Sequence, residues 1–203
     1  MSPPRWLLAT NNHGKRAEFL ALLPGVELVS LREVGIGELD EPHADFVSNA
    51  AAKAREASRR SGLPSLADDS GICVDALAGA PGVFSARFGG AHGDDAENRR
   101  RLLLALAGVP AARRGARFRC ALALADVAGA LGDRVLLAQG TVEGFVAAAP
   151  RGAGGFGYDP LFVPLGGDRT LAELDDAQKS ALSHRGIAAR AIAPVLASYA
   201  ARR

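Results

Sequence analysis

The chain has 203 residues, 48% of them hydrophobic, 23% charged and 5% aromatic, with 24 Lys and Arg against 22 Asp and Glu for a formal net charge of +2. Against a domain unit of roughly 150 residues, this length predicts a single domain, 1–203, or one domain with a small second lobe, that buries about 70% of its unfolded surface without needing staples. Near-neutral charge, with no basic run longer than Arg99-Arg100-Arg101, argues against a nucleic-acid partner even though the sequence pI is 8.8. The N-terminus shows no basic segment leading into an apolar run, and Asp126 interrupts the most apolar stretch. These features predict a cytoplasmic protein with no membrane partner. Cys73 and Cys120 lie far apart, so they argue for a reducing compartment and read as small core hydrophobes.

Arg5 to Ala9 reads as a buried strand that stops at the turn-forming run Thr10-Asn11-Asn12-His13-Gly14. From Lys15 the spacing predicts a helix with Ala17, Leu20, Ala21 and Leu23 on its apolar face, ended by Pro24-Gly25. Val26 to Leu31 is a second strand, followed by an irregular acidic segment through Asp40, Glu41 and Pro42. Asp45 offers an N-cap to a helix that turns Phe46, Ala50, Lys53 or Ala54, and Ala57 to one side and ends at Gly62. Pro64 to Ala67 reads as a short strand running into Asp68-Asp69-Ser70-Gly71, and Ile72 to Val74 continue it.

A Gly/Pro-rich loop, 79–93, carries Arg87, and Asp94 or Asp95 caps a helix through Leu106 with Leu102, Leu103 and Leu106 inward. Ala116 to Ala128 and Val135 to Phe145 read as a hairpin. Four glycines fall in 152–157 before Tyr158-Asp159-Pro160, Thr170 to Glu173 have capping-box spacing, and Ser183 begins a last helix with Ile187, Ala191, Ile192 and Val195 inward. Alternating strands and helices followed by a hairpin predict a mixed sheet with helices around it.

Five polar clusters interrupt this aliphatic pattern. Thr10 to Lys15 is either an ordinary turn with a solvated Lys or, between a strand end and a helix start, an anion site suited to a triphosphate. Asp68-Asp69 is either a hydrogen-bonded turn capping Gly71 or half of a Mg²⁺ site, since Mg²⁺ takes one or two carboxylates and fills its octahedron with water and phosphate oxygens; Asp40 and Glu41 can supply the other half. Arg87 is a surface arginine or a phosphate contact. Gly155-Phe156-Gly157-Tyr158-Asp159 is a tight turn packed by aromatics or a platform on which a base stacks. Lys179, Ser183, His184 and Arg185 are a solvated helix start or a set of donors aimed at one acceptor.

Taken in order, Thr10 to Lys15, Asn49 to Ala54, Leu66 to Gly71 with Ala80 to Arg87, Gly154 to Asp159, and Lys179 with Ser183-His184-Arg185-Gly186 closely resemble the non-standard purine nucleoside triphosphate pyrophosphatases, the inosine/xanthosine triphosphatase family. The resemblance runs from about Leu7 to Ala191 and departs at Asp45 and Ser48, where the family usually carries Thr and Glu. It implies an α/β fold, a central mixed twisted sheet flanked by helices, with two lobes and an active-site cleft between them. It also implies a homodimer that uses Mg²⁺ to cleave ITP, dITP and XTP to the monophosphate and pyrophosphate, cleansing the nucleotide pool. By that resemblance Thr10, Asn11, Asn12, His13, Gly14 and Lys15 hold the triphosphate, and Lys53 and Arg87 add positive charge. Glu41 and Asp69 hold Mg²⁺, with Asp40 and Asp68 as alternatives. Asp69 accepts the proton of the attacking water and Ser70 touches substrate. Phe156, Gly157, Tyr158, Asp159, Lys179, His184 and Arg185 surround the nucleoside.

No Ser/His/Asp or Cys/His nucleophile set accompanies these residues, and in-line attack on a phosphoanhydride needs positioning and charge more than covalent chemistry. Selectivity is expected at the purine 6-position, where an oxo group accepts and an amino group donates. A buried donor left facing a donor discriminates by on the order of 10⁴. The alternatives are a related pyrophosphatase of modified pyrimidine nucleotides and a non-catalytic nucleotide- or RNA-binding module.

Overall fold

A computed structural model describes residues 5–90 and 93–201. Six strands form one mixed sheet in the order β2-β1-β3-β4-β5-β6, with β1 at Arg5–Leu8, β2 at Glu27–Ser30, β3 at Ser65–Val74, β4 at Gly115–Asp126, β5 at Gly132–Val146 and β6 at Phe162–Pro164. β1 is parallel to both β2 and β3, pairing Leu7 with Val29 and with Ser65, whereas β5 and β6 are antiparallel, pairing Phe145 with Val163. The helices are α1 (His13–Leu22), α2 (Phe46–Ser61), α3 (Asp95–Ala105), α4 (Asp176–Leu182) and α5 (His184–Ala200). Among the described residues no helix is long and apolar enough to cross a membrane.

The chain divides into two compact units. The first comprises the described parts of Met1–Asp69, Cys120–Gly140 and Arg185–Arg203; the second comprises those of Ser70–Arg119 and Thr141–His184. In the first, Trp6, Leu8, Phe19, Leu66, Leu122 and Leu124 pack with Ala188, Ile192 and Leu196 of α5, while a second cluster sets Leu7, Val29 and Ala121 against the alanines of α2. In the second, Ile72, Leu102, Leu106, Phe118, Tyr158, Leu161 and Phe162 form the core.

Local chemistry explains the boundaries. Asn12, Asp45 and Asp94 cap α1, α2 and α3 by accepting from the N–H groups of Lys15, Ser48 and Glu97, and Gly62 ends α2 in the left-handed conformation at φ 70°. Thr170 and Glu173 form the expected capping box. A second such box, Asp175 with Gln178, starts α4, which the sequence pattern did not single out.

The structure corrects four expectations. Asp68 to Gly71, for which a hydrogen-bonded turn is one of two readings, are the middle of β3, which continues through Ile72 to Val74 as the sequence pattern has it. Gly71 is needed there because a Cβ would run into Ser85 Oγ and the Gly82 carbonyl, so the residue permits close backbone approach rather than a turn. On α1 the buried stripe is Phe19 with Leu22 and Leu23, and Ala17, Leu20 and Ala21 are exposed, because the largest apolar side chain sets which face turns inward. On α5, Ala191 is exposed and Val195 is 39% exposed, while Ala188, Ala189, Ile192, Leu196 and Tyr199 are buried. Cys120 joins the core as expected, but Cys73 is only half-buried.

Candidate active site

In the first unit the polar residues gather at the middle of β3. Successive side chains of a strand point to opposite faces, so Asp68 and Asp69 enter different surroundings. Asp69 is 3% exposed and accepts from Asn49 Nδ2 at 3.0 Å. Lys53 Nζ lies 3.8 Å from Asp69 Oδ1 and donates to Glu41 Oε1 at 2.5 Å and to the Asp68 carbonyl at 2.8 Å. Asn49 and Lys53 are one helical turn apart on the buried alanine face of α2, a placement that directs both polar groups at the strand. Asn49 also accepts from the His43 N–H and donates to the His43 carbonyl, which ties down the loop carrying Glu41.

On the other face, Asp68 is fully buried. Its Oδ2 pairs with Lys15 Nζ at 2.6 Å and lies 3.7 Å from Arg185 Nε, and its Oδ1 accepts from the Cys120 thiol at 3.0 Å. Arg185 Nη1 also donates to Glu18 Oε2 at 3.1 Å. The two carboxyls are thereby driven in opposite directions. Burial alone would raise Asp68, yet Lys15 and Arg185 beside it, with the hydrogen bonds from Cys120 and Lys15, hold it well below the usual carboxylate range. Burial pushes Asp69 up, more than Lys53 and Lys15 take back, and Glu41 adds to the rise.

Asp68 is committed to Lys15, Arg185 and Cys120 on the face away from Lys53, and Asp40 is exposed, whereas Glu41 reaches Lys53. Lys15 is also not a solvated lysine, since its ammonium sits against Asp68. In the loop before it, Thr10 Oγ1 accepts from the Asn12 N–H, and Asn11, Asn12 and His13 are exposed.

The second unit holds a different cluster. Asp159, 3% exposed, accepts through Oδ2 from the Phe156 N–H at 2.8 Å and from Lys179 Nζ at 2.6 Å, and the same ammonium lies 5.0 Å from the centroid of the Phe156 ring. Gly155 and Gly157 are left-handed at φ 68° and 59°. A Cβ on Gly155 would run into the Asp159 carboxylate, so glycine is required for that carboxylate to cap the loop.

Tyr158 does not offer a stacking face. It is buried in the core, and its hydroxyl donates to the Ser85 carbonyl at 2.8 Å. His184 is buried and lies flat on Phe118, with centroids 4.6 Å apart and planes 6° apart. Phe156 and Gly157 are half-buried, as are Ser70 and Arg87, whose guanidinium sits over the Phe84 ring at 5.2 Å. Arg185, expected beside the nucleoside, directs its guanidinium to Glu18 and Asp68 in the first unit. Sequence reasoning missed the contacts of Asn49 with Asp69 and of Glu18 with Arg185. For Asn49 a signal existed, because an Asn one turn before a Lys on an alanine face cannot be buried without a polar partner.

Residues 6–195 match the Ham1 family. The chain belongs to the Ham1 family. Among its relatives, it is 48% identical to the dITP/XTP pyrophosphatase of Nocardia farcinica, covering 100% of this chain and 99% of that one. It is 52% identical to the dITP/XTP pyrophosphatase of Ralstonia nicotianae over 89% of this chain and 90% of that one. The solved structure of a HAM1 protein from Coxiella burnetii superposes with a TM-score of 0.83 at 41% identity, covering 96% of this chain and 99% of that one.

Proposed function

We propose that this chain, a nucleoside triphosphate pyrophosphatase of the Ham1 family, hydrolyses ITP, dITP and XTP to the monophosphate and pyrophosphate with Mg²⁺, as a cytoplasmic homodimer that clears such nucleotides before they enter DNA or RNA. The observation that carries the reading is the pair Glu41 and Asp69, two carboxylates brought together on one ammonium, Lys53.

That pair fits a hard divalent cation. Its donors are all oxygen, the two carboxylates repel one another strongly enough to help raise Asp69, and positive charge at that point relieves the repulsion. Among the described residues no group of three or more His, Cys, Asp or Glu converges, so a cation held here by Glu41 and Asp69 would complete its shell with water and phosphate oxygens, as Mg²⁺ does. When bound, Mg²⁺ supplies Lewis-acid polarisation of the phosphoryl oxygens.

The remaining roles belong to the chain's own groups. Thr10 to Lys15, Lys53 and Arg87 bind and neutralise the triphosphate, and Ser70 touches it. Asp69, whose raised pKa brings it nearer to neutrality than an ordinary aspartate, takes the proton of the water that attacks the phosphoanhydride. The bond to water forms as the anhydride bond breaks and pyrophosphate departs. Phe156 lends its ring face to the purine, Gly157 and Asp159 hold the loop, and Lys179 keeps Phe156 in place. Tyr158 anchors the loop through its bond to the Ser85 carbonyl, His184 packs on Phe118, and Arg185 holds Asp68.

Pyrophosphate release from ITP, dITP, XTP, GTP and ATP, with and without Mg²⁺, tests the reading. ITP, dITP and XTP are expected to turn over only with the metal, and ATP slower by on the order of 10⁴ in kcat/KM. ATP cleaved as fast as ITP would overturn it.

A further inference from the structure

The glycine loop is held from a helix to which no role has been given. Asp95 and Arg99 lie one turn apart on the same face of α3 and grip both backbone polar groups of Gly157: Asp95 Oδ2 accepts its N–H at 2.6 Å and Arg99 Nη1 donates to its carbonyl at 2.7 Å. Between them Asn98, 1% exposed, accepts from the Gly89 N–H at 2.6 Å and donates to the Ala86 carbonyl at 3.2 Å, which fixes the segment flanking Arg87. The contacts continue from Gly157 through the Phe156 N–H to Asp159, and from Asp159 to Lys179.

A loop with two left-handed glycines gains most from such bracing, because glycine has the widest backbone freedom to lose. Its two backbone grips are charge-assisted, the stronger kind of hydrogen bond. We propose that Asp95 and Arg99 are positioning residues that set purine selectivity by holding the Phe156–Asp159 loop in one conformation. The proposal rests on the reading of this chain as a purine nucleoside triphosphate pyrophosphatase. A loop held in one shape fixes the Phe156 ring and so the register of a purine stacked on it, and a purine with the wrong 6-substituent then meets a mismatch; a loosened loop re-packs around either purine. The triphosphate end does not touch this loop in the proposed roles, so its binding is independent of the clamp.

The test compares Arg99→Met and Asp95→Ala with the conservative Arg99→Lys and Asp95→Asn, which keep a donor and an acceptor. Arg99→Met and Asp95→Ala are expected to raise KM for ITP by about tenfold, with kcat within about twofold, and to lower the ITP-to-ATP ratio of kcat/KM. The conservative variants should recover most of both effects, and inhibition by inorganic tripolyphosphate should be unmoved in all four. A parallel rise in KM and in the tripolyphosphate inhibition constant overturns the proposal, as does an unchanged KM and ratio with only thermal stability lowered. Wild-type turnover of ITP, measured alongside, judges the underlying reading separately. Hydrogen exchange of the backbone amides at 153–158 judges the clamp without any turnover: faster exchange in Arg99→Met and Asp95→Ala supports it, and exchange equal to wild type overturns it.

Discussion

Around β3 the ion pairs dominate: Lys15 and Arg185 on Asp68, Lys53 on Glu41 and Asp69. Around Gly157, beside the ion pair of Asp159 with Lys179, the polar contacts run from side chain to backbone: Asp95, Arg99 and Asp159 each bond to a main-chain group of the loop. The first pattern manages electrostatics and the second manages shape. A triphosphate and a metal ask for balanced charge in a dry setting, where each ion is costly without its partner. A purine asks for donors and acceptors at fixed positions, which a glycine loop supplies only when it is fastened. The contrast implies that damage to the first region removes chemistry or stability outright, whereas damage to the second degrades recognition.

The sharpest way to break that contrast is Asp69→Asn. With the proposed proton acceptor gone, kcat for ITP should fall by about 10³-fold while circular dichroism and thermal unfolding stay near wild type. Turnover within a few-fold of wild type would remove Asp69 from the mechanism. Next in size is Asp68→Asn, which leaves Lys15 and Arg185 buried beside a neutral group and should cost about 3–5 kcal/mol in urea unfolding. The sign of its pH dependence follows from the lowered value. The folded-state carboxyl titrates below its unfolded one, so its contribution is fully present above about pH 4 and disappears only on stronger acidification. The loss on mutation should therefore be flat from about pH 5 to pH 8, and a loss that vanished on moving from pH 8 to pH 5 would contradict the pairing. The smallest effect is expected in the second region: Phe156→Leu removes a stacking face and should raise KM for ITP by about tenfold with kcat little changed.

Much of this was legible in the sequence because it is local. The caps at Asp45 and Asp94, the left-handed end at Gly62 and the capping box at Thr170 follow from short-range hydrogen bonding, and the structure has each of them. The Asp-Asp-Ser-Gly run misled for a physical reason. These residue types favour turns when exposed, but tertiary pairing with Lys15, Lys53 and Arg185 makes a buried acidic strand tolerable, and Gly71 answers to Ser85 rather than to local backbone needs. The same holds for Asp95 and Arg99. In sequence they are two charges on a solvated helix face, and their partner, Gly157, is some sixty positions away with no side chain to advertise the contact. Tyr158 was legible as an aromatic in a glycine loop, but whether it faces inward depends on the Ser85 carbonyl, which no local pattern encodes.

The continuity of β3 through its two aspartates carries a last consequence. Adjacent acidic residues invite the thought that one is a spare for the other, yet in an extended chain neighbours are the two residues least able to substitute for each other. A one-residue shift in the phase of this strand would put only one aspartate at the other's position and leave the position beside it to Ala67 or Ser70. The doublet thus works as a ruler: a change of length between Ser65 and Gly71 would move each carboxylate out of its own surroundings.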